Sequence, residues 1–203
     1  ATLTFTAADS KTDQTVTVTG IDEVAPDGDV NYSIKLGNTA STDALYKDLE
    51  GKVDLTNVDD DKPVKIVGNW GSNCVRFVDG AVKCWGRNNS GCLGLGDTLP
   101  RGDQAGEMGA ALPFVDLGPG RTAKRLGDNV RGEGHFCAIL DNDKVKCWGS
   151  NYNGQLGIGD VNPRGDQAGE MGDALAYVDL GAGRTAKVVA SGEAWSCAIL
   201  DND

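Results

Sequence analysis

The chain is poor in the residues that usually carry chemistry. Its 203 residues include a single histidine, His135, and no cysteine before position 74. One imidazole without a second histidine excludes a His-built metal centre, and a catalytic base at that position would lack partners. No nucleophile elbow, phosphate-binding loop, EF-hand loop or Cys-x-x-Cys pair occurs, so the local signatures of those chemistries are missing. No apolar run reaches the roughly 18 residues that a membrane-crossing helix needs, and Ala1 opens no basic-then-apolar leader. Positive charge is scarce: 19 Lys and Arg stand against 30 Asp and Glu, for a net charge of -11. Such a surface repels duplex nucleic acid and anionic membranes and attracts cations or basic partners. These absences argue against an enzyme and for a protein that acts by structure or binding.

What the chain does have is repetition. The octapeptide Gly102 to Gly109 recurs letter for letter as Gly165 to Gly172, an offset of 165 − 102 = 63. Val82-Lys-Cys-Trp-Gly86 recurs at Val145 to Gly149, and Val115-Asp-Leu-Gly118 at Val178 to Gly181, both again 63 on. Cys137 to Asp143 recurs at Cys197 to Asp203, only 60 on, so the third copy is three residues shorter ahead of its cysteine. Each unit reads as short strands around glycine turns: Lys65 to Val67, Cys74 to Val78, the turn Asp79-Gly80, then Ala81 to Trp85. A long loop follows from about Gly86 to Ala111, and Leu112 to Leu117 closes the unit. A period near 60 with several strands per unit is that of a propeller blade.

Cys137-Ala-Ile-Leu140, Val145-Lys-Cys-Trp-Gly149 and Asn151-Tyr-Asn-Gly-Gln-Leu-Gly-Ile-Gly-Asp160 resemble the RCC1-type repeat, a family that forms β-propellers, commonly of seven blades. The resemblance covers about residues 64–203, with units at 64–124 and 125–187 and the start of a third at 188–203. Founding members of that family regulate a small GTPase, and the resemblance brings that function into consideration.

The six cysteines carry their own pattern. Both 84 − 74 and 147 − 137 equal 10. A hairpin with the three-residue loop Val78-Asp79-Gly80 puts Cys74 opposite Cys84, and facing residues of an antiparallel pair lie within disulfide range. The expected bridges are Cys74–Cys84 and Cys137–Cys147, which point to an oxidising compartment. Cys92 and Cys197 are left unassigned. Trp85 and Trp148, after the second cysteine of each hairpin, are expected to pack the blades, and Trp70 and Trp195 are also assigned to the core. Arg101-Gly-Asp103 and Arg164-Gly-Asp166 occupy the same place in consecutive repeats, so loop geometry explains them better than adhesion.

Residues 1–61 differ in character, with frequent Thr and neither Cys nor Trp. Leu3 to Thr6, Gln14 to Thr19, Val30 to Leu36 and Lys52 to Asn57 alternate apolar and polar, the period of half-buried antiparallel strands. Gln14 to Gly20 with the acidic turns after it resembles the C-terminal half of a Calx-β-like, Ig-like sandwich repeat of the adhesin type. Some members of that family bind calcium, so Asp22, Glu23, Asp27, Asp29, Asp59, Asp60 and Asp61 form a candidate Ca²⁺ cluster. Asn31 and Asn88 begin N-glycosylation sequons.

The expected fold is all-β: a partial Calx-β-like sandwich over 1–61, then RCC1-like blades over 62–203 in an incomplete ring. The expected role is an extracellular or cell-surface structural protein, adhesive or filament-forming. Its partners would be copies of itself, neighbouring domains, or surface glycans and proteins, with no nucleic acid and no membrane insertion. The alternatives are a secreted protein-recognition propeller and an RCC1-like regulator of a small GTPase.

Overall fold

The computed structural model describes residues 30–36, 51–57, 62–129 and 134–202. The chain divides into two compact units, Ala1–Val58 and Asp59–Asp203. In the first, β1 (Val30–Leu36) and β2 (Gly51–Asn57) pair antiparallel, in register from Val30 opposite Asn57 to Leu36 opposite Gly51. The strands expected at Leu3 to Thr6 and Gln14 to Thr19 lie outside the described residues.

The second unit is all-β and built from blades. β3 (Pro63–Gly68), β4 (Ser72–Phe77) and β5 (Val82–Gly86) form the first sheet, in that order. β6 (Ala123–Leu126) is followed by the two-residue β7 (Asp128–Asn129), then β8 (His135–Leu140) and β9 (Val145–Gly149); the second sheet runs β6-β8-β9. β10 (Ala186–Ser191) and β11 (Ser196–Leu200) make the third, in the order β11-β10-β7. The only helical pieces among the described residues are two 3-10 turns, Gly109–Ala111 and Gly172–Ala174. The architecture is a run of propeller blades in an incomplete ring.

The three blades share one register. Lys65 faces Arg76, Arg125 faces Ile139, and Val188 faces Ile199, each just after a bulge in the first strand. The second and third blades begin at Ala123 and Ala186, two residues ahead of the repeat boundaries read from the sequence. The missing three residues are explained here. From the buried end of the first strand to the cysteine, the separations are 74 − 66 = 8, 137 − 126 = 11 and 197 − 189 = 8. The middle blade is therefore the longer one, and its extra residues fall between β6 and β8. That connection carries β7, which pairs parallel with Ala190 and Ser191 of β10 and so ties the second blade to the third.

Apolar side chains fill the spaces between blades. Val82, Leu93, Leu126, Phe136, Trp148 and Leu175 belong to one core cluster, and Ile139, Val145, Leu156 and Val189 to a second. β8 reads His-Phe-Cys-Ala-Ile-Leu and is buried at all six positions, because a blade packs on each of its faces. β11 reads Ser-Cys-Ala-Ile-Leu and alternates, because only one face is covered.

Candidate functional site

Each hairpin is closed by chemistry already visible in its sequence. Cys74 faces Cys84 across β4 and β5, and Cys137 faces Cys147 across β8 and β9, with the Cα atoms 4.1 Å apart and the sulfurs bonded in both. The turn residue after each needs a left-handed backbone. Gly80 supplies it at φ 89° and Asp143 at φ 61°, the one non-glycine among the described residues with positive φ. Cys92 is a buried free thiol and Cys197 an exposed one.

The loops between hairpins are held by a polar frame that sequence reasoning missed. Asn88 is fully buried. Its Nδ2 donates to the Asp97 and Leu99 carbonyls at 2.8 and 3.0 Å and to Asp97 Oδ1 at 3.1 Å, while its Oδ1 accepts from Leu93 N–H at 2.9 Å. Asn151 repeats every one of these contacts with Asp160, Asn162 and Leu156. This corrects the glycan expected at Asn88: its amide nitrogen is buried and committed to three acceptors. Asn31 lies exposed on β1. The same frame fixes the Arg-Gly-Asp tripeptides, since Arg101 pairs with Asp97 at 2.6 Å and Arg164 with Asp160 at 2.5 Å. The Asn162 N–H and then Arg164 hold the Asp160 carboxyl below its ordinary range. Lys146, also fully buried, donates to the Leu117 and Gly172 carbonyls at 3.0 and 2.7 Å and sits over the Tyr177 ring; Lys83 does the same with Gly109 and Phe114. A lysine kept in both copies of Val-Lys-Cys-Trp-Gly was the signal for this anchor.

One end of the blades differs. There the β3–β4 and β10–β11 loops meet the segments that leave β5 and β9. Trp70 is 73% exposed and Trp195 47%, which corrects their assignment to the core. Tyr152, beside the Asn151 frame, is 66% exposed. Arg87 lies over the Trp70 ring at 5.6 Å and its N–H donates to the Gly71 carbonyl, so strand exit and loop share this end. Beneath the loops His135 is fully buried. Its Nε2 lies 3.0 Å from Ser196 Oγ in the third blade, and its carbonyl accepts from Asn129 Nδ2 at 3.2 Å. Burial lowers its pKa to about 4, against a smaller opposing effect of a backbone hydrogen bond to Trp195. His135 is a neutral joint between blades. Burial also raises the Cys92 thiol pKa; its Sγ lies 3.2 Å from Ser72 Oγ.

Trp148 is fully buried and its Nε1 donates to the Cys92 carbonyl at 3.1 Å, whereas Trp85 is half-buried beside Gly102. The difference is positional: Trp148 has the first blade's loop against it. The candidate calcium residues Asp22, Glu23, Asp27, Asp29, Asp59, Asp60 and Asp61 lie outside the described residues. Among the described residues no three His, Cys, Asp or Glu side chains gather as a metal site, and no helix is long and apolar enough to cross a membrane. The arrangement is a framed scaffold that presents aromatic side chains at one end.

Comparison with known proteins agrees with this geometry. Residues 132–155 match the regulator of chromosome condensation (RCC1) repeat. Over 106 residues, half of this chain, the sequence is 31% identical to the ultraviolet-B receptor UVR8 of Arabidopsis thaliana, of which it spans 21%. The yeast RCC1 protein Prp20, solved with Kap60 bound, superposes over 77% of this chain and 32% of its own at a TM-score of 0.50 and 16% identity. A second structure, Prp20p from Saccharomyces cerevisiae, described with its binding to Gsp1p and histones, covers 66% of this chain and 30% of its own, with a TM-score of 0.48 and 15% identity. The chain thus spans only a fifth to a third of these relatives. The repeats are RCC1-type propeller repeats.

Two expectations are corrected by these matches. An adhesive or filament-forming structural protein is not what the repeats resemble; their relatives are a receptor and regulators. Partners drawn from copies of itself, neighbouring domains or surface glycans give way likewise, since the RCC1 relative was solved with a different protein bound. The misreading arose from weighting the cysteine pairs and acidic front segment above the repeat itself.

Proposed function

We propose that this chain contributes blades to an RCC1-like regulatory propeller that works by holding a protein partner, with no covalent chemistry of its own. The observation that carries this reading is the division of labour within the repeat. Residues identical at the 63-residue offset, such as Asn88 and Asn151 or Lys83 and Lys146, build the buried frame. The exposed aromatics Trp70, Tyr152 and Trp195 lie at one end and are not repeated. Aromatic side chains of this kind anchor protein interfaces. The net charge of -11 favours a partner with a basic face. A small GTPase is the partner class that the RCC1 resemblance brings forward.

The experiment is a binding measurement of the chain against small GTPases in their GDP-bound form, together with release of a fluorescent nucleotide. Binding that Trp70→Ala and Trp195→Ala weaken about tenfold or more, with circular dichroism unchanged, is the expected result. Absence of any GTPase binding overturns that partner class. One observation favours a second reading, a protein-recognition propeller of an oxidising compartment: the two hairpin disulfides. Thiol alkylation of freshly lysed source cells separates the two, because a protein from a reducing compartment has these cysteines free. The β1–β2 hairpin is the part of a Calx-β-like sandwich in this reading, and calcium binding to residues 22–29 and 59–61 is tested by titration calorimetry.

A further inference from the structure

We propose that the free edge of β11 docks one strand of the β5 and β9 kind, carrying Val-x-Cys-Trp-Gly, and that Cys197 forms a disulfide with the cysteine of that strand. This does not depend on the partner class above. The argument is internal to the molecule. β4 and β8 each carry a strand on the side away from the first strand of the blade, paired so that Cys74 meets Cys84 and Cys137 meets Cys147. β11 holds its cysteine in the same register: Ile199 faces Val188 as Ile139 faces Arg125. Among the described residues no strand lies on that side of β11. Ile139 is 1% exposed, and its counterpart Ile199 is 51% exposed. The start of the turn is already set. Arg184 pairs with Asp201 at 3.0 Å and Asp201 N–H donates to Thr185, as Arg121 pairs with Asp141 at 2.9 Å and Asp141 N–H donates to Thr122.

A second observation identifies the tryptophan of the incoming strand. Trp148 donates to the Cys92 carbonyl and lies against Gly94, in a cluster with Leu93 and Val115. Adding 63 to those positions gives Gln155, Leu156, Gly157 and Val178. These four residues line a cavity of about 260 Å³ that Cys147, Trp195 and Cys197 also border. The cavity between the second and third blades therefore matches the place that Trp148 fills between the first and second. An indole from a strand on β11 enters it, with the Gln155 carbonyl as its acceptor.

The covalent step needs an oxidant, and a small disulfide such as oxidised glutathione supplies it. The Cys197 thiolate attacks one glutathione sulfur and releases one glutathione thiolate. The thiolate of the docked strand then attacks Cys197 of the mixed disulfide and releases the second. Two thiols lose two electrons and two protons, and one glutathione disulfide becomes two thiols.

The test mixes the whole 203-residue chain with a synthetic peptide of the sequence Asn142 to Ser150 in a glutathione redox buffer. Mass spectrometry is expected to show one peptide on Cys197 and none on Cys92. A peptide with Trp148→Ala, or with the cysteine moved by one position, is expected to couple at least tenfold less. A Cys197→Ser chain is expected to bind the labelled natural peptide without a bond, and not the Trp148→Ala peptide. Equal coupling of all peptides shows an exposed thiol only and overturns the proposal. So does a preference for a Cys197–Cys197 dimer of the chain, or no coupling.

Discussion

Asn151 shows how much a single side chain holds in this fold. Its carboxamide spans a loop of eleven residues and is fully buried. Asn151→Ala leaves a backbone N–H and two carbonyls without their partner, which is expected to cost about 3 kcal/mol or more, read from urea unfolding. Expression in a glycosylating host checks the same logic at Asn88, where tryptic mapping is expected to find the amide unmodified. His135 gives a pH dependence of defined sign. Its folded pKa, about 4, lies below the ordinary 6.5, so between those values the unfolded chain binds a proton that the folded chain does not. Stability is complete above pH 6.5 and falls as pH drops towards 4, by up to about 3 kcal/mol. His135→Asn is expected to flatten urea midpoints across that window. In the sequence His135 was legible only as a residue without catalytic partners. Its burial depends on Ser196, sixty-one residues away, and no local pattern announces that contact.

At the scale of the element, the hairpins were the most legible part of the chain. Cysteine spacing and a glycine after Asp79 fix a three-residue loop, because only one register brings positions ten apart face to face. What the sequence hid is that Asp143 does the work of Gly80 in the second hairpin. The two positions are expected to respond oppositely. A Cβ at Gly80 would lie 2.7 Å from Thr122 Cβ and 2.9 Å from the Ala123 carbonyl oxygen, on a left-handed backbone. Gly80→Ala is therefore expected to destabilise by about 2 kcal/mol or more. Asp143→Gly relieves its backbone but loses the exposed pair with Lys124, and is expected to change stability by less than about 1 kcal/mol. Thermal melts of both variants decide this. Replacing Cys137 and Cys147 by alanine is expected to cost about 2–3 kcal/mol, the gain for closing so short a loop.

At the scale of the molecule, the repeat period revealed the propeller before any contact was known. What remained hidden was which copy is unusual. Sequence comparison made the third copy short, whereas the register makes the second one long, because the first and third share an eight-residue spacing. The insertion that carries β7 has no apolar pattern to mark it, being two polar residues whose pairing partner is a strand of the next blade. Function was harder still, since cysteine pairs and acidic composition say where a protein can exist rather than what it holds. The closed hairpins have a mechanical consequence. With its disulfide intact, each keeps two cysteines 4.1 Å apart at the Cα atoms, while ten residues drawn straight span roughly 34 Å. A chain stretched between its ends therefore withholds about 30 Å of contour at each hairpin. Reductant releases that reserve under load, so single-molecule extension curves are expected to lengthen in two equal increments, one per hairpin.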